Sequence, residues 1–154
     1  MATTTSLAPL TKTVLVPGPV DRAFDLFTAG LGSWWPMRTH SVGEHESAGV
    51  AMQCRAGGEI VETLADGSTT VWGTVTDWEP PSRLAFTWHP GQPAAEATRV
   101  EVRFEESGSR PLVTLVHSGW ESRPDGSRAR QGYDSGWDVV LAHLVEAPAR
   151  PAEG

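Results

Sequence analysis

Apolar and polar positions alternate through the middle of this chain and recur at helical spacing near both ends. Leu84, Phe86 and Trp88 alternate with Ala85, Thr87 and His89. Val100, Val102 and Phe104 alternate with Arg99, Glu101, Arg103 and Glu105. Period-two patterning of this kind predicts strands with one buried face. Val50, Met52 and Cys54 show it too, as do Ile60 to Leu64, Thr69 to Trp78, and Val113, Leu115 and His117. Gly57-Gly58 and Asp66-Gly67 are turn signals between runs, and Pro80-Pro81 breaks another connection. With a short β-prone run at Thr11 to Val16, this predicts about six to seven strands, mostly antiparallel because the connections are short.

Two helices frame the strands. Val20, Ala23, Phe24 and Phe27 lie on one helical face, with Pro19 at a favourable N-terminal position and an end by Gly30 and Gly32. The second helix runs from about Ala129 to Glu146, with Tyr133, Trp137, Val140, Leu141 and Leu144 on one stripe that must be buried. Gly132 and Gly136 interrupt it, each costing ~1 kcal/mol relative to Ala. Either the sheet or a ligand comes close there. Residues 1–10 and 148–154 read as tails around a single domain, 11–147. The fold class is α+β: a curved antiparallel sheet wrapped around a long C-terminal helix.

Composition narrows the function. The chain has 154 residues and a formal charge of -7, which argues against nucleic acid and against an anionic membrane surface as partners. All basic residues but Lys12 are Arg, a bias typical of GC-rich bacterial coding. No apolar run approaches the ~20 residues of a membrane span. Met1 to Ala8 has neither a basic nor an apolar leader region, so the expected location is cytoplasmic. One cysteine excludes an intrachain disulfide and a cysteine zinc cluster. Seven Trp stand against one Tyr and four Phe, an excess that suits an aromatic core or an aromatic-lined pocket.

Several segments resemble one family in order and spacing. They are Gly32-Ser33-Trp34-Trp35-Pro36, Gly57-Gly58, Asp66-Gly67, and Gly73 followed by Glu79-Pro80-Pro81-Ser82-Arg83-Leu84. Phe86-Thr87-Trp88-His89, His117-Ser118-Gly119-Trp120 and Gly132-Tyr133-Asp134-Ser135-Gly136-Trp137 complete the set. From about Thr11 to Glu146 the chain resembles the Hsp90-ATPase-activator-like family of the START/Bet v 1 superfamily. The resemblance implies a helix-grip fold with an internal cavity between sheet and C-terminal helix. It implies no single function, because the superfamily holds lipid and hormone carriers, polyketide cyclases and antibiotic-binding proteins. Hsp90 activation is not carried over, since no additional domain for a co-chaperone role is visible.

Candidate site residues follow from face and type. Trp34 and Trp35 are either a lid at the cavity mouth or a loop anchor on the sheet rim; adjacent residues of an extended segment point opposite ways, so one lines and one packs. Phe86, Trp88, Phe104, Trp120, Tyr133 and Trp137 form a cavity wall or ordinary core. Met52 joins them by its inward face, and Cys54 reads as a small buried hydrophobe. Glu62 and His117 share the inward face of their strands and are a polar pair, separate ligand anchors, or satisfied structural groups. With Tyr133 they would carry acid/base chemistry if the protein is an enzyme. Arg38 is placed to meet an acidic ligand at the mouth. His40, Glu44, His45 and Glu46 fit no metal signature and read as a solvated loop. Ser135 is not in a nucleophile elbow, and Gly30-x-Gly32 is no dinucleotide fingerprint.

The reading is therefore a cofactor-free monomer or homodimer that binds a small hydrophobic, aromatic or polycyclic ligand. The alternatives are a cyclase- or hydrolase-like enzyme in the same cavity, a self-resistance protein sequestering an antibiotic such as an enediyne, and a stress-response interaction module.

Overall fold

The computed structural model describes residues 7–37 and 39–147. Its strands are β1 (Leu10–Leu15), β2 (Ser47–Met52), β3 (Glu59–Leu64), β4 (Thr69–Glu79), β5 (Arg83–Trp88), β6 (Thr98–Ser107) and β7 (Arg110–Ser118). They form one antiparallel sheet in the order β1-β7-β6-β5-β4-β3-β2. The strands from β2 to β7 pair with their neighbours in the chain, and β1 closes onto β7, so the connection from β1 to β2 must cross from one sheet edge to the other. That crossing carries α1 (Val20–Phe27) and α2 (Leu31–Trp34). The sheet curls into a half-barrel, and α3 (Gly126–Glu146) lies in its grip.

The alternation is realised as burial. On β6, Thr98, Val100, Val102 and Phe104 face inward while Arg99 and Arg103 face out. On β7, Val113, Leu115 and His117 are fully buried. The outer face is laced by ion pairs such as Arg83–Asp77 (2.7 Å) and Arg103–Glu101 (2.9 Å), which in solvent add little stability. Helix α3 buries Trp137, Val140, Leu141 and Leu144, as its stripe requires, and Lys12 of β1 reaches Asp134 and Asp138 along its rim. Helix α1 turns Phe24 and Phe27 onto Phe104, with ring centroids 5.1 and 5.9 Å apart. The half-barrel is thus filled by α1 at one end and by α3 along its length.

Three expectations are corrected. The segment after Gly30 is not an extended loop: Leu31–Trp34 form a short helix, which four residues are too few to announce by periodicity. Strand β2 ends at Met52, so Cys54 falls beyond the pleat and is exposed rather than inward. Helix α3 begins at Gly126, a turn earlier than the apolar stripe suggests.

Pairing of β3 with β4 shifts register beside Gly73, between the Ile60–Gly73 and Val61–Val71 pairs. A Cβ built on Gly73 would run into the Thr87 carbonyl oxygen of β5, an atom of paired backbone that cannot move aside. Gly73→Ala should therefore lower stability by about 1–3 kcal/mol, even though alanine normally improves a strand interior. A urea unfolding curve with an unchanged midpoint would refute this.

Candidate functional site

The tryptophans gather where β3, β4 and β5 meet α3 and the end of α2. Ring centroids lie 5.2 Å apart for Trp35 and Trp72, 5.5 Å for Trp72 and Trp88, and 5.7 Å for Trp88 and Trp137. Trp35 also meets Trp88 at 5.8 Å and Trp137 at 5.9 Å. A buried indole must place its N–H on an acceptor or lose a hydrogen bond. Each does so: Trp35 donates to the His40 carbonyl (2.7 Å), Trp72 to Glu62 Oε1 (2.9 Å), Trp88 to Tyr133 Oη (3.1 Å) and Trp137 to His117 Nδ1 (2.9 Å). Trp34 donates to the Leu26 carbonyl and Trp120 to the His117 carbonyl.

Glu62 is fully buried and remains ionised. Burial pushes its pKa up. The Gly43 N–H, the Ser47 hydroxyl, the Val42 N–H and the Trp72 indole together outweigh this and hold it below the usual carboxylate range. Val42 N–H donates to Oε1 at 2.9 Å and Gly43 N–H to Oε2 at 3.0 Å. The carboxylate thus pins the loop after α2 to β3.

His117 sits against Trp120, ring centroids 4.0 Å apart. Its Nε2 is 2.6 Å from Thr98 Oγ1, and its Nδ1 accepts from Trp137, which fixes the neutral tautomer with hydrogen on Nε2. Burial, and secondarily the charge of Arg123, lowers its pKa to about 3. Glu62 and His117 therefore share no bond: each serves a different tryptophan. Of the readings open to them, a polar pair, separate ligand anchors or satisfied structural groups, the geometry shows no pair, and the partners of each are protein groups.

The open space lies beside them. A cleft of about 400 Å³ is walled by Trp35, Trp88, Tyr133, Trp137 and Val140, with Gly136 on its helical side. His40, Ser41 and Val42 form one rim and Pro90 and Gly91 the other. Among the sequence-derived candidates, Trp35, Trp88, Tyr133 and Trp137 border this space. Trp34, the last residue of α2, packs on Phe27 instead (5.6 Å), while Trp35 follows it in extended backbone and borders the space. Phe86 and Met52 are core, Phe104 lies under α1, and Trp120, Glu62 and His117 stand behind the wall. Arg38 lies outside the described residues. Sequence pattern does not reveal the other lining residues: Val140 falls on the apolar stripe as core, and Ser41, Val42, Pro90 and Gly91 belong to loops with no periodic signal. Among the described residues no group of His, Cys, Asp and Glu is arranged to hold a metal ion, and no helix is long and apolar enough to cross a membrane.

Tyr133 is the polar group of the cleft. Burial raises its pKa, against the opposing influence of the Trp88 indole and of Arg123, so it stays protonated. Since its oxygen accepts from Trp88, its own hydrogen is available to a guest.

A curled antiparallel sheet gripping a helix over an aromatic cleft defines a helix-grip, START/Bet v 1-like protein. The chain belongs to the Activator of Hsp90 ATPase homolog 1-like family, whose sequence model matches residues 17–148. No match is found among curated proteins. Among solved structures, the chain is similar to the anthrahydroquino-gamma-pyrone synthase Txn09 in complex with SUM: 29% identity, TM-score 0.62, covering 90% of this chain and 95% of that one. It is similar to the Aha1 dimer from Colwellia psychrerythraea at 17% identity and TM-score 0.66, covering 91% and 95%. DynU16, from the dynemicin biosynthetic locus, matches at 18% identity and TM-score 0.60, covering 90% of this chain and 46% of that one. The last two likenesses show the fold.

Two outcomes follow from these groups. Glu62→Gln replaces an acceptor pair by one acceptor and an NH2 that faces an N–H. It should cost about 2 kcal/mol, since a buried donor loses its partner, as read from the urea midpoint; wild-type stability would contradict the pinning role. His117 stays neutral when folded but takes a proton near its ordinary value of 6.5 when unfolded. Its stabilising contribution is therefore complete above that pH and is lost as pH falls, by about 2 kcal/mol at about pH 5. His117→Gln should start less stable and show a flatter profile across that window. An equal slope in both proteins would show that other groups set it.

Proposed function

We propose that this protein binds a small hydrophobic ligand with a flat aromatic or polycyclic ring system in the cleft beside α3. The observation that carries this reading is the wall itself: three indoles and a phenol around about 400 Å³ of open space, in the size range of small-molecule pockets. Their faces stack on fused rings, and the Tyr133 hydroxyl supplies a donor for a ring carbonyl or phenol oxygen. The 29% identity to an anthrahydroquino-gamma-pyrone synthase supports a guest of this class.

That same likeness favours a second reading, a cyclase-like enzyme acting in the cleft. Of Glu62, His117 and Tyr133, only Tyr133 borders the space, so such chemistry would rest on Tyr133 as a proton donor. Sequestration of an antibiotic would use the cleft without chemistry.

Gly136 separates occupied from empty space. A Cβ there meets only His40 Cδ2, at 4.0 Å; the sheet does not approach it. Gly136→Leu should raise stability by up to about 1 kcal/mol through helix propensity while filling the cleft. Titration of tryptophan fluorescence with 1,8-dihydroxyanthraquinone should show saturable quenching in the wild type and at least about tenfold weaker affinity in the variant. Absence of saturable quenching in the wild type, or equal affinity in both, would refute the reading.

A further inference from the structure

The cleft continues past Tyr133. A second groove of about 380 Å³ runs along α3 over Gly132 and Gly136 toward Gln92 and Arg123. His40, Pro90, Tyr133 and Gly136 border both spaces, so together they form one groove with an aromatic end and a polar end. At Gly132 and Gly136 its helical floor is bare backbone. A Cβ on Gly132 would meet nothing within 4 Å, and neither glycine is required by packing, although each weakens the helix by ~1 kcal/mol.

The polar end is built on Arg123. Its side chain is only 11% exposed and is held by Asp125, with Nε to Oδ1 at 2.8 Å and Nη2 to Oδ2 at 3.1 Å. This pair engages one edge of a five-donor fork, and the Tyr133 hydroxyl oxygen takes a further part of it as an acceptor. The charge lies close enough to the junction to act on both Tyr133 and His117. Asp125 is itself 48% exposed, so water competes for it and a ligand carboxylate can share the guanidinium. The net charge of -7 does not favour anions at long range; a buried-edged arginine at the groove's end supplies a local exception.

Building on the ring-binding reading above, we propose that the ligand is amphipathic: its rings lie among Trp35, Trp88 and Trp137, and a carboxylate arm on them crosses the Gly132–Gly136 floor to Arg123. The glycines are then the passage that lets one rigid molecule reach both ends.

Two probes that differ only in the arm, anthraquinone-2-carboxylate and 2-methylanthraquinone, test this by tryptophan quenching at low and high salt. The wild type should bind the carboxylate about tenfold more tightly at low salt, and salt should erode that preference. Arg123→Gln should abolish the preference while leaving the methyl probe's affinity unchanged. Asp125→Asn, which relieves the guanidinium of its competitor, should widen the preference; it also keeps the test decisive should Arg123→Gln fail to fold. Equal binding of the two probes by the wild type, or a preference that survives in Arg123→Gln or does not grow in Asp125→Asn, overturns the carboxylate subsite and leaves ring binding standing. Binding of neither probe overturns both readings.

Discussion

Six of the seven tryptophans are buried, and the need to satisfy each indole N–H governs the interior. An apolar core of this size would ordinarily exclude a carboxylate and an imidazole. Here they are drawn in as acceptors. Glu62 receives Trp72, His117 receives Trp137, and the Tyr133 hydroxyl receives Trp88. The remaining capacity of each acceptor is then met by its neighbours: loop N–H groups for Glu62 and the Thr98 hydroxyl for His117. Among the described residues, no buried side-chain polar atom lacks a partner. A network satisfied this completely orients the rings as well as stabilising them.

Orientation of the rings decides where space remains. Trp72 is locked at the back by Glu62, while Trp35, Trp88 and Trp137 are held by their N–H bonds and border the open space. That loop is tied twice to the same core, at the His40 carbonyl by Trp35 and at Val42 and Gly43 by Glu62. The rim of the cleft is thus positioned by the wall behind it, through a buried charge that does not itself border the open space.

Much of the fold was legible because burial follows pleat and helical period: β5 to β7 and the α3 stripe emerge from alternation alone. The inward faces of Glu62 and His117 were legible for the same reason. Their roles were not, since period two tells which face a side chain takes but not which tryptophan lies opposite. The same limit explains Phe86 and Phe104, which share the inward face with Trp88 yet lie where neighbouring rings and α1 fill the half-barrel. Cys54 illustrates a different failure, a strand ending one step before the pattern does. Gly132 and Gly136 signalled a close approach, but the close partner is open space, which no sequence pattern distinguishes from a neighbouring strand.

The central claim is that the rings divide into a structural set and a ligand-facing set. The indole N–H resonances of a 15N-labelled sample, followed on addition of 1,8-dihydroxyanthraquinone, test it directly. The account predicts saturable shifts for Trp35, Trp88 and Trp137, while Trp34 and Trp120 stay in place. Shifts centred on Trp34 or Trp120, or no shift at Trp35, Trp88 and Trp137, would contradict it.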